Sequence, residues 1–313
     1  MSVNRTGRGA IAVNKGLGCV VVTFNPDCNL IKLVNSLYKE YEKMVIVDNA
    51  STINNNFIEI FKDKDDIKII CNEDNLGIAT ALNVGVNELG LEGIKYAMLL
   101  DQDSSIDGES IKILYNTIKN NKNYGIVGPV IGLKKDADTL IGGFIAAKGK
   151  SLSKKHIMEH TKMNVLTNIT SGSIINISLF DSVGKFWEGL FIEGVDDEYC
   201  LRMHSCGYQV IVVADAILAQ NYGEKFISLK KFGVVWNATF HKPYRNYYVF
   251  RNGTLIVKRY MFTQPKYVVF KILSMFKRLL TIYLVEDEVW EKYKYSFKGI
   301  FDGIIGREGK IYK

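Results

Sequence analysis

No stretch of this 313-residue chain reaches eighteen consecutive uncharged apolar residues, the length a membrane-crossing helix needs. The nearest approach, "YVVFKILSMFKRLLTIYLV" at 267–285, is broken by Lys271, Lys277 and Arg278. The first 15 residues carry Arg5, Arg8 and Lys15 with no apolar run behind them, so residues 1–16 read as a flexible tail and not as a secretory leader. Cysteine is sparse: Cys19, Cys28, Cys71, Cys200 and Cys206, with no CxxC. An odd number at irregular spacing, partly inside apolar runs, fits reduced thiols in a cytoplasmic protein.

Other absences remove whole reaction classes. No GxGxxG follows the first strand-like run, which argues against a dinucleotide-dependent dehydrogenase. There is no GxxxxGK(S/T) phosphate loop and no GxSxG elbow. The four histidines, His156, His160, His204 and His241, have no zinc spacing. His156 and His160 lie four apart, but in "HIMEH" and beside "KGKSLSKK", and read as surface. The net charge of +7 suits nucleotides, phosphates or a membrane surface. Without a Lys/Arg stripe interleaved with aromatics, nucleic acid is not an expected partner.

What is present is rhythm. Apolar runs at 19–25, 44–49, 67–73, 96–103 and 124–131 alternate with helical patterns near 27–41, 54–62, 77–90 and 109–120. Strands alternating with helices of this length predict an α/β fold with a mostly parallel central sheet and helices on both faces. The segment 140–225 suggests extra mixed strands, a helix entered near Val195 and a strand over 209–218. From about 227 the pattern reads as helical. The expected division is a regular βα part over about 17–130, a mixed part over 131–225 and a helical C-terminal region over 226–313.

In parallel sheets ligands sit at the carboxyl ends of the strands. Thr23, Asn25, Asp48, Asn49, Asn72, Asp101 and Asp103 fall there. In "MLLDQDSSID" (98–107) two carboxylates flank Gln102. Asp101 and Asp103 could share a hard divalent cation, since such ions take oxygen ligands and often add substrate phosphates. The alternative is a solvated loop with Asp107 capping the next helix. A calcium loop is excluded, because Ile106 and Lys112 occupy the positions that require Gly and Glu. Asp48 could accept a hydrogen bond from a base or form an Asx turn. The acids Glu193, Asp196, Asp197 and Glu198 crowd a predicted helix start. A desolvated Asp there would have a raised pKa, suited to a general base; a solvated acidic turn is the alternative.

Five segments occur in order: "VVVTFNP", "VIVDNAS", "NEDNLGIATALNVGV", "LLDQDSSI" and "SGSIINISLFDSVGKFWEGLFIEGVDDEYCLR". Together they resemble family-2 glycosyltransferases of the GT-A fold (Rossmann-like, here with a C-terminal helical extension), and within them bacterial rhamnosyltransferases. The resemblance covers about 19–255, including "HKPYRNYYVFRN" at 241–252. It implies a nucleotide site of Thr23, Phe24, Asn25, Asp48, Asn49, Asn75, Gly77, Asp101 and Gln102. It implies a metal, Mg²⁺ or Mn²⁺, at Asp103 with Asp101, a catalytic base at Asp196 with Asp197 as runner-up, and an acceptor side that includes Gly172, Trp187, Glu193 and Arg202. The implied donor is a dTDP- or UDP-sugar and the acceptor a saccharide, free or polyprenyl-linked. One departure stands out: where relatives carry a metal-binding His after the strand 209–218, this chain has Gln220. His241 is the substitute ligand considered.

Residues 258–313 hold 12 Lys/Arg against 6 Asp/Glu. In 267–285 the polar residues recur every three or four positions and leave a wide apolar face. A basic amphipathic helix of this kind predicts peripheral contact with the inner face of a membrane through 262–300, with packing on the catalytic domain or a homodimer partner as the alternative.

Overall fold

The apolar runs pair side by side, because strands buried on both faces must satisfy their backbones against one another. The structure is a computed structural model and describes residues 14–53, 56–133, 136–140, 144–147, 151–152, 159–220, 226–231, 234–239 and 241–311. In chain order the strands are β1 (Asn14–Thr23), β2 (Tyr41–Asp48), β3 (Ile67–Cys71), β4 (Tyr96–Asp101), β5 (Ser104–Ile106), β6 (Tyr124–Leu133), β7 (Asp136–Leu140), β8 (Phe144–Ile145), β9 (Ser151–Leu152), β10 (Lys162–Asn164), β11 (Ile174–Asn176), β12 (Gln209–Gln220), β13 (Phe226–Lys231) and β14 (Val234–Thr239). The helices are α1 (Cys28–Leu37), α2 (Asn56–Phe61), α3 (Ile78–Leu91), α4 (Gly108–Lys119), α5 (Leu179–Val183), α6 (Val195–Ser205), α7 (Pro243–Tyr260), α8 (Pro265–Val285) and α9 (Val289–Ile305).

The main sheet has the order β10-β12-β6-β11-β4-β1-β2-β3. β4, β1, β2 and β3 pair in parallel, as do β6 and β12. β11 lies between β4 and β6, antiparallel to both. The second half of the chain therefore places a strand in the middle of the sheet. Residues 14–16, expected in the tail, already belong to β1; residues 1–13 and His156 lie outside the described residues. His160 is exposed.

Alternate residues of each strand feed opposite cores. Val20, Val45 and Val47 pack with α3 through Leu82, Val86 and Leu89. Cys19, Val21, Met44 and Ile46 pack with α1, α2 and α4 through Leu33, Phe57 and Leu114. This period of two within unbroken apolar runs is the signature of a sheet covered on both faces. Helix starts follow their caps. The Asp27 carboxylate accepts from Asn29 N at 2.8 Å and the Asp107 carboxylate from Ser110 N at 2.7 Å. Asp107 thus caps α4, as its position in the sequence suggests.

The C-terminal region differs from its expectation at its start. β13 and β14 form an antiparallel hairpin over 226–239, and helices begin only at Pro243. The segments "FISLKK" and "VVWNAT" are rich in β-branched and aromatic residues, which favour a pleated pair over a helix. Beyond it, α7, α8 and α9 are joined by a buried ionic network: Glu286 accepts from Arg278 (2.5 Å) and Lys292 (2.8 Å), while Arg278 also donates to Asn246 (3.0 Å). All five cysteines are free.

Candidate active site

The carboxyl ends of β1, β2 and β4 converge on one side of the sheet. Gln102, just past β4, joins them: its Oε1 accepts from Thr23 Oγ1 (2.7 Å) and Phe24 N (2.8 Å). Asn49, past β2, accepts from Asn72 and Leu76 N and donates to Asn75 Oδ1 at 3.0 Å. These bonds shape a cavity of about 240 Å³ lined by Thr23, Phe24, Asn49, Asn75, Gly77, Asp101 and Gln102, with Phe191 and Ile192 as the opposite wall. Gly77 is required there. Its φ is +87°, and a Cβ would fall 2.4 Å from the Phe191 carbonyl oxygen, which accepts from Ile78 N at 2.8 Å.

Asp48 and Asn25, predicted to line the nucleotide, do not line this cavity. Asp48 is buried and accepts from Ser51 N (2.9 Å) and Ser51 Oγ. Asn25 Oδ1 accepts from Thr52 N at 2.8 Å. Both order the 51–53 loop behind the pocket, so Asp48 takes the turn-forming option.

A second cavity of about 320 Å³ adjoins the first, sharing Ile78, Asp101 and Ile192. It is lined further by Ile169, Thr170, Ser171, Glu193, Gly194, Val195, Asp196 and Arg245. Asp196 opens α6, whose N-terminus follows Gly194 in the left-handed region. Burial pushes its carboxyl pKa up, and the charges of Asp197, Glu193 and Asp101 push it further. Asp197 goes the other way. Burial raises its pKa, but Lys271 at 3.0 Å and the Tyr267 hydroxyl at 2.7 Å more than offset that, and it stays ionised. Two adjacent acids are thus pushed apart: one poised to exchange a proton, the other a fixed anion.

Asp101 is raised to about 6, first by burial and then by the charge of Asp103, against a Ser171 hydrogen bond and the Arg245 charge. Gln220, on the last residue of β12, pairs through its backbone with Ser104, next to Asp103. Among the described residues no group of three or more His, Cys, Asp or Glu forms a metal cluster. His241 lies just before α7.

Of the predicted acceptor residues, Glu193 lines the second cavity and takes an ion pair from Arg245. The others lie elsewhere. Gly172 makes the left-handed turn beside Ser171. Trp187 donates to Glu308 at 2.9 Å and lies under the Arg259 guanidinium. Arg202 is spent on Glu198 (2.7 Å) and the Val183 carbonyl (3.0 Å). Sequence reasoning did not single out Arg245, Ser171, Tyr267 or Lys271. Arg245 sits inside the quoted segment 241–252, and that was its one available signal. A further cavity, about 880 Å³, opens beside Lys95 and Tyr96 at the opposite end of β4. That is the wrong end of a parallel strand for the chemistry.

The glycosyl transferase family 2 model matches residues 19–184. The chain belongs to that family. This family-2 glycosyltransferase is 32% identical over 251 residues to a protein described as dTDP-rhamnosyl transferase RfbF of Shigella flexneri, covering 79% of this chain and 81% of that one. In fold it is similar to S. aureus TarS 1-349 (TM-score 0.60, 16% identity, 92% of this chain and 80% of that one). It is also similar to GalNAc-T7 solved with UDP, GalNAc and Mn²⁺ (TM-score 0.60, 14% identity), where the match covers 93% of this chain and 56% of that one. These likenesses establish the GT-A architecture of the glycosyltransferase. It acts on a sugar-nucleotide donor.

Proposed function

We propose that this enzyme is an inverting rhamnosyltransferase that moves L-rhamnose from dTDP-rhamnose to a saccharide or polyprenyl-linked saccharide during bacterial cell-surface polysaccharide synthesis. The observation that carries the reading is the 32% identity to the dTDP-rhamnosyl transferase over 79% of the chain, together with an acid of raised pKa in the cavity that adjoins the one at the strand ends. The nucleotide occupies the cavity from Thr23 to Gln102, and the acceptor enters the one lined by Glu193, Asp196 and Arg245. Asp196 removes the proton from an acceptor hydroxyl as that oxygen attacks the anomeric carbon from the face opposite the diphosphate. One C–O bond forms, the bond to the diphosphate breaks, and configuration inverts. Asp197, held by Tyr267 and Lys271, keeps the proton on Asp196 once it arrives.

Asp101 and Asp103 fit a divalent cation. They are close enough for one charge to raise the other's pKa, and they offer the oxygen donors that Mg²⁺ or Mn²⁺ takes alongside substrate phosphates. Bound there, the ion would offset charge on the departing diphosphate. Thermal unfolding against dTDP, UDP, GDP and CMP, each with and without Mn²⁺, tests donor and metal together. A ligand at 100-fold over its Kd adds roughly 2.7 kcal/mol. The expected result is a Mn²⁺-dependent upward shift with dTDP that Asp103→Ala removes. A shift with UDP alone reassigns the donor to a galactosyl, glucosyl or galactofuranosyl nucleotide. No shift with any nucleotide rejects the site.

Among the described residues no helix is long and apolar enough to cross a membrane. α8 nonetheless turns Val269, Phe270, Ile272, Leu273 and Phe276 outward, and Trp290 on α9 is 84% exposed. With the basic excess of 258–313, this supports peripheral contact with the anionic inner face of the cytoplasmic membrane, where a polyprenyl-linked acceptor would be held. Replacing Leu273 and Phe276 by Glu should weaken sedimentation with phosphatidylglycerol vesicles by roughly tenfold or more. Activity on a soluble acceptor should survive. Unchanged vesicle binding with a dimer dissociated to monomer would make this face a subunit interface instead.

A further inference from the structure

The segment after α9 returns to the donor cavity from the far end of the chain. Gly306 ends α9 in the left-handed region, and residues 307–311 then run over the loop that follows Trp187. Five contacts hold it. Arg307 N donates to Asp302 O at 2.8 Å and Gly309 N to Gly189 O at 2.7 Å. Glu308 accepts from Trp187 Nε1 at 2.9 Å, Arg251 donates to Gly309 O, and Ile311 N donates to Tyr248 Oη at 3.3 Å. The neighbours on both sides of Lys310 are therefore fixed.

The Lys310 ammonium donates to the Asn75 carbonyl at 3.3 Å and lies 5.9 Å from the centre of the Phe191 ring. Asn75 and Phe191 both line the nucleotide cavity, and Gly77 touches both. An ammonium has three donors, and the Asn75 carbonyl takes one. The charge balance of the cleft gives the rest of the argument. Asp101, Glu193 and Asp196 line it and make it acidic, yet a nucleoside diphosphate must enter it. Arg245 is engaged by Glu193 and Lys271 by Asp197. No carboxylate among the described residues pairs with Lys310, whose charge lies against two of the residues that line the cavity.

We propose that Lys310 is a donor-binding residue that contacts the diphosphate of the sugar nucleotide, carried to the cavity by the pinned 307–311 segment. This rests on the assignment of the Thr23–Gln102 cavity to the nucleotide. Lysine suits such a contact, because its compact charge binds phosphate oxygens without requiring a fixed fork geometry. Because its neighbours are already ordered, little conformational freedom is lost on binding.

The test compares the full chain with Lys310→Met and Lys310→Arg, using dTDP and UDP by calorimetry and thymidine and uridine by ligand-observed NMR. Lys310→Met should weaken the diphosphate that binds the wild type by roughly tenfold or more, the range of a lost charge-assisted hydrogen bond, and leave the nucleoside unaffected. Lys310→Arg should recover most of the loss, and donor KM should rise more than kcat falls. Wild-type diphosphate affinity in Lys310→Met overturns the proposal. An equal loss for nucleoside and diphosphate also overturns it, by showing that the segment shapes the pocket without touching phosphate. A wild type that binds no nucleoside diphosphate is a different failure: it rejects the nucleotide assignment of the cavity, and Lys310 falls with it.

Discussion

Asp196→Asn should abolish sugar transfer, lowering kcat by about 10²- to 10⁴-fold, the usual contribution of a positioned general base. Donor affinity should be nearly unchanged, because Asp196 lines the acceptor-side cavity and is absent from the nucleotide cavity. Steady-state kinetics with a measured nucleotide Kd separates the two effects. Asp197→Asn should cost less. That carboxylate faces Tyr267 and Lys271, and in the proposed mechanism it keeps a negative charge beside Asp196. If Asp197→Asn were the dead variant and Asp196→Asn retained activity, the base would be Asp197.

The same residue sets the pH dependence. Burial first and the Asp197 charge second push Asp196 up to about 7. A base must be deprotonated, so kcat/KM should fall about tenfold per pH unit below that value and level off above it. Stability should run in the opposite direction. A carboxyl whose folded-state pKa is raised contributes stability that is complete below its ordinary value and is lost as pH rises through the folded value. The wild type should therefore lose stability between about pH 4 and 7 at this site, and Asp196→Asn should not. An inactive variant more stable than the wild type at pH 8 is the expected signature of a desolvated carboxylate acting as the base. A variant destabilised equally at all pH values would mean that the carboxylate holds structure.

The acid pair illustrates what the sequence could and could not reveal. Asp101 and Asp103 could be read as candidates because they lie at a strand end and the turn after it, which periodicity locates, whereas Asp196 was picked out of the acids at the α6 start by the family resemblance. The Rossmann-like half was legible because strands buried on both faces leave unbroken apolar runs. Asp48 stayed open in the sequence because a carboxylate at a strand end serves a turn as well as a ligand; the structure shows its Ser51 turn contacts. The insertion of β11 between β4 and β6 was invisible, since three residues carry it and its partners are distant in sequence. The β13–β14 hairpin was hidden by the helical pattern that follows it. Contacts to Asp197 from Tyr267 and Lys271 are separated from it by some seventy residues, and no local spacing encodes them.

Arg251→Met should destabilise the fold by about 3 kcal/mol and also impair donor binding, although Arg251 touches neither cavity. The side chain is fully buried on α7. Its guanidinium donates to the carbonyls of Gly189 (3.1 Å), Leu190 (2.9 Å) and Gly309, and its Nε to Asn252 Oδ1 at 2.8 Å. Asn252 then donates to the carbonyls of Leu190 (2.8 Å) and Glu193 (2.7 Å). These two residues hold the loop that presents Phe191, Ile192 and Glu193 to the two cavities. Removing a buried charge recovers part of its desolvation cost. The Gly189 carbonyl keeps Gly309 N and the Leu190 carbonyl keeps Asn252, but the Gly309 carbonyl and Asn252 Oδ1 lose their donor, at about 1–3 kcal/mol for each group that is buried. The second effect wins because one guanidinium serves several acceptors and fills the space between them. Arg251→Lys should not rescue, since a single ammonium cannot reproduce a planar fork aimed at separate carbonyls. The measurements are a denaturant midpoint and a nucleotide Kd on the same preparation. A loss of stability with wild-type nucleotide affinity would confine Arg251 to packing. Loss of both would show that the "RN" of the 241–252 segment acts on the donor site through the backbone of the loop, which explains why a residue far from the chemistry belongs to the same ordered set of segments as the acids.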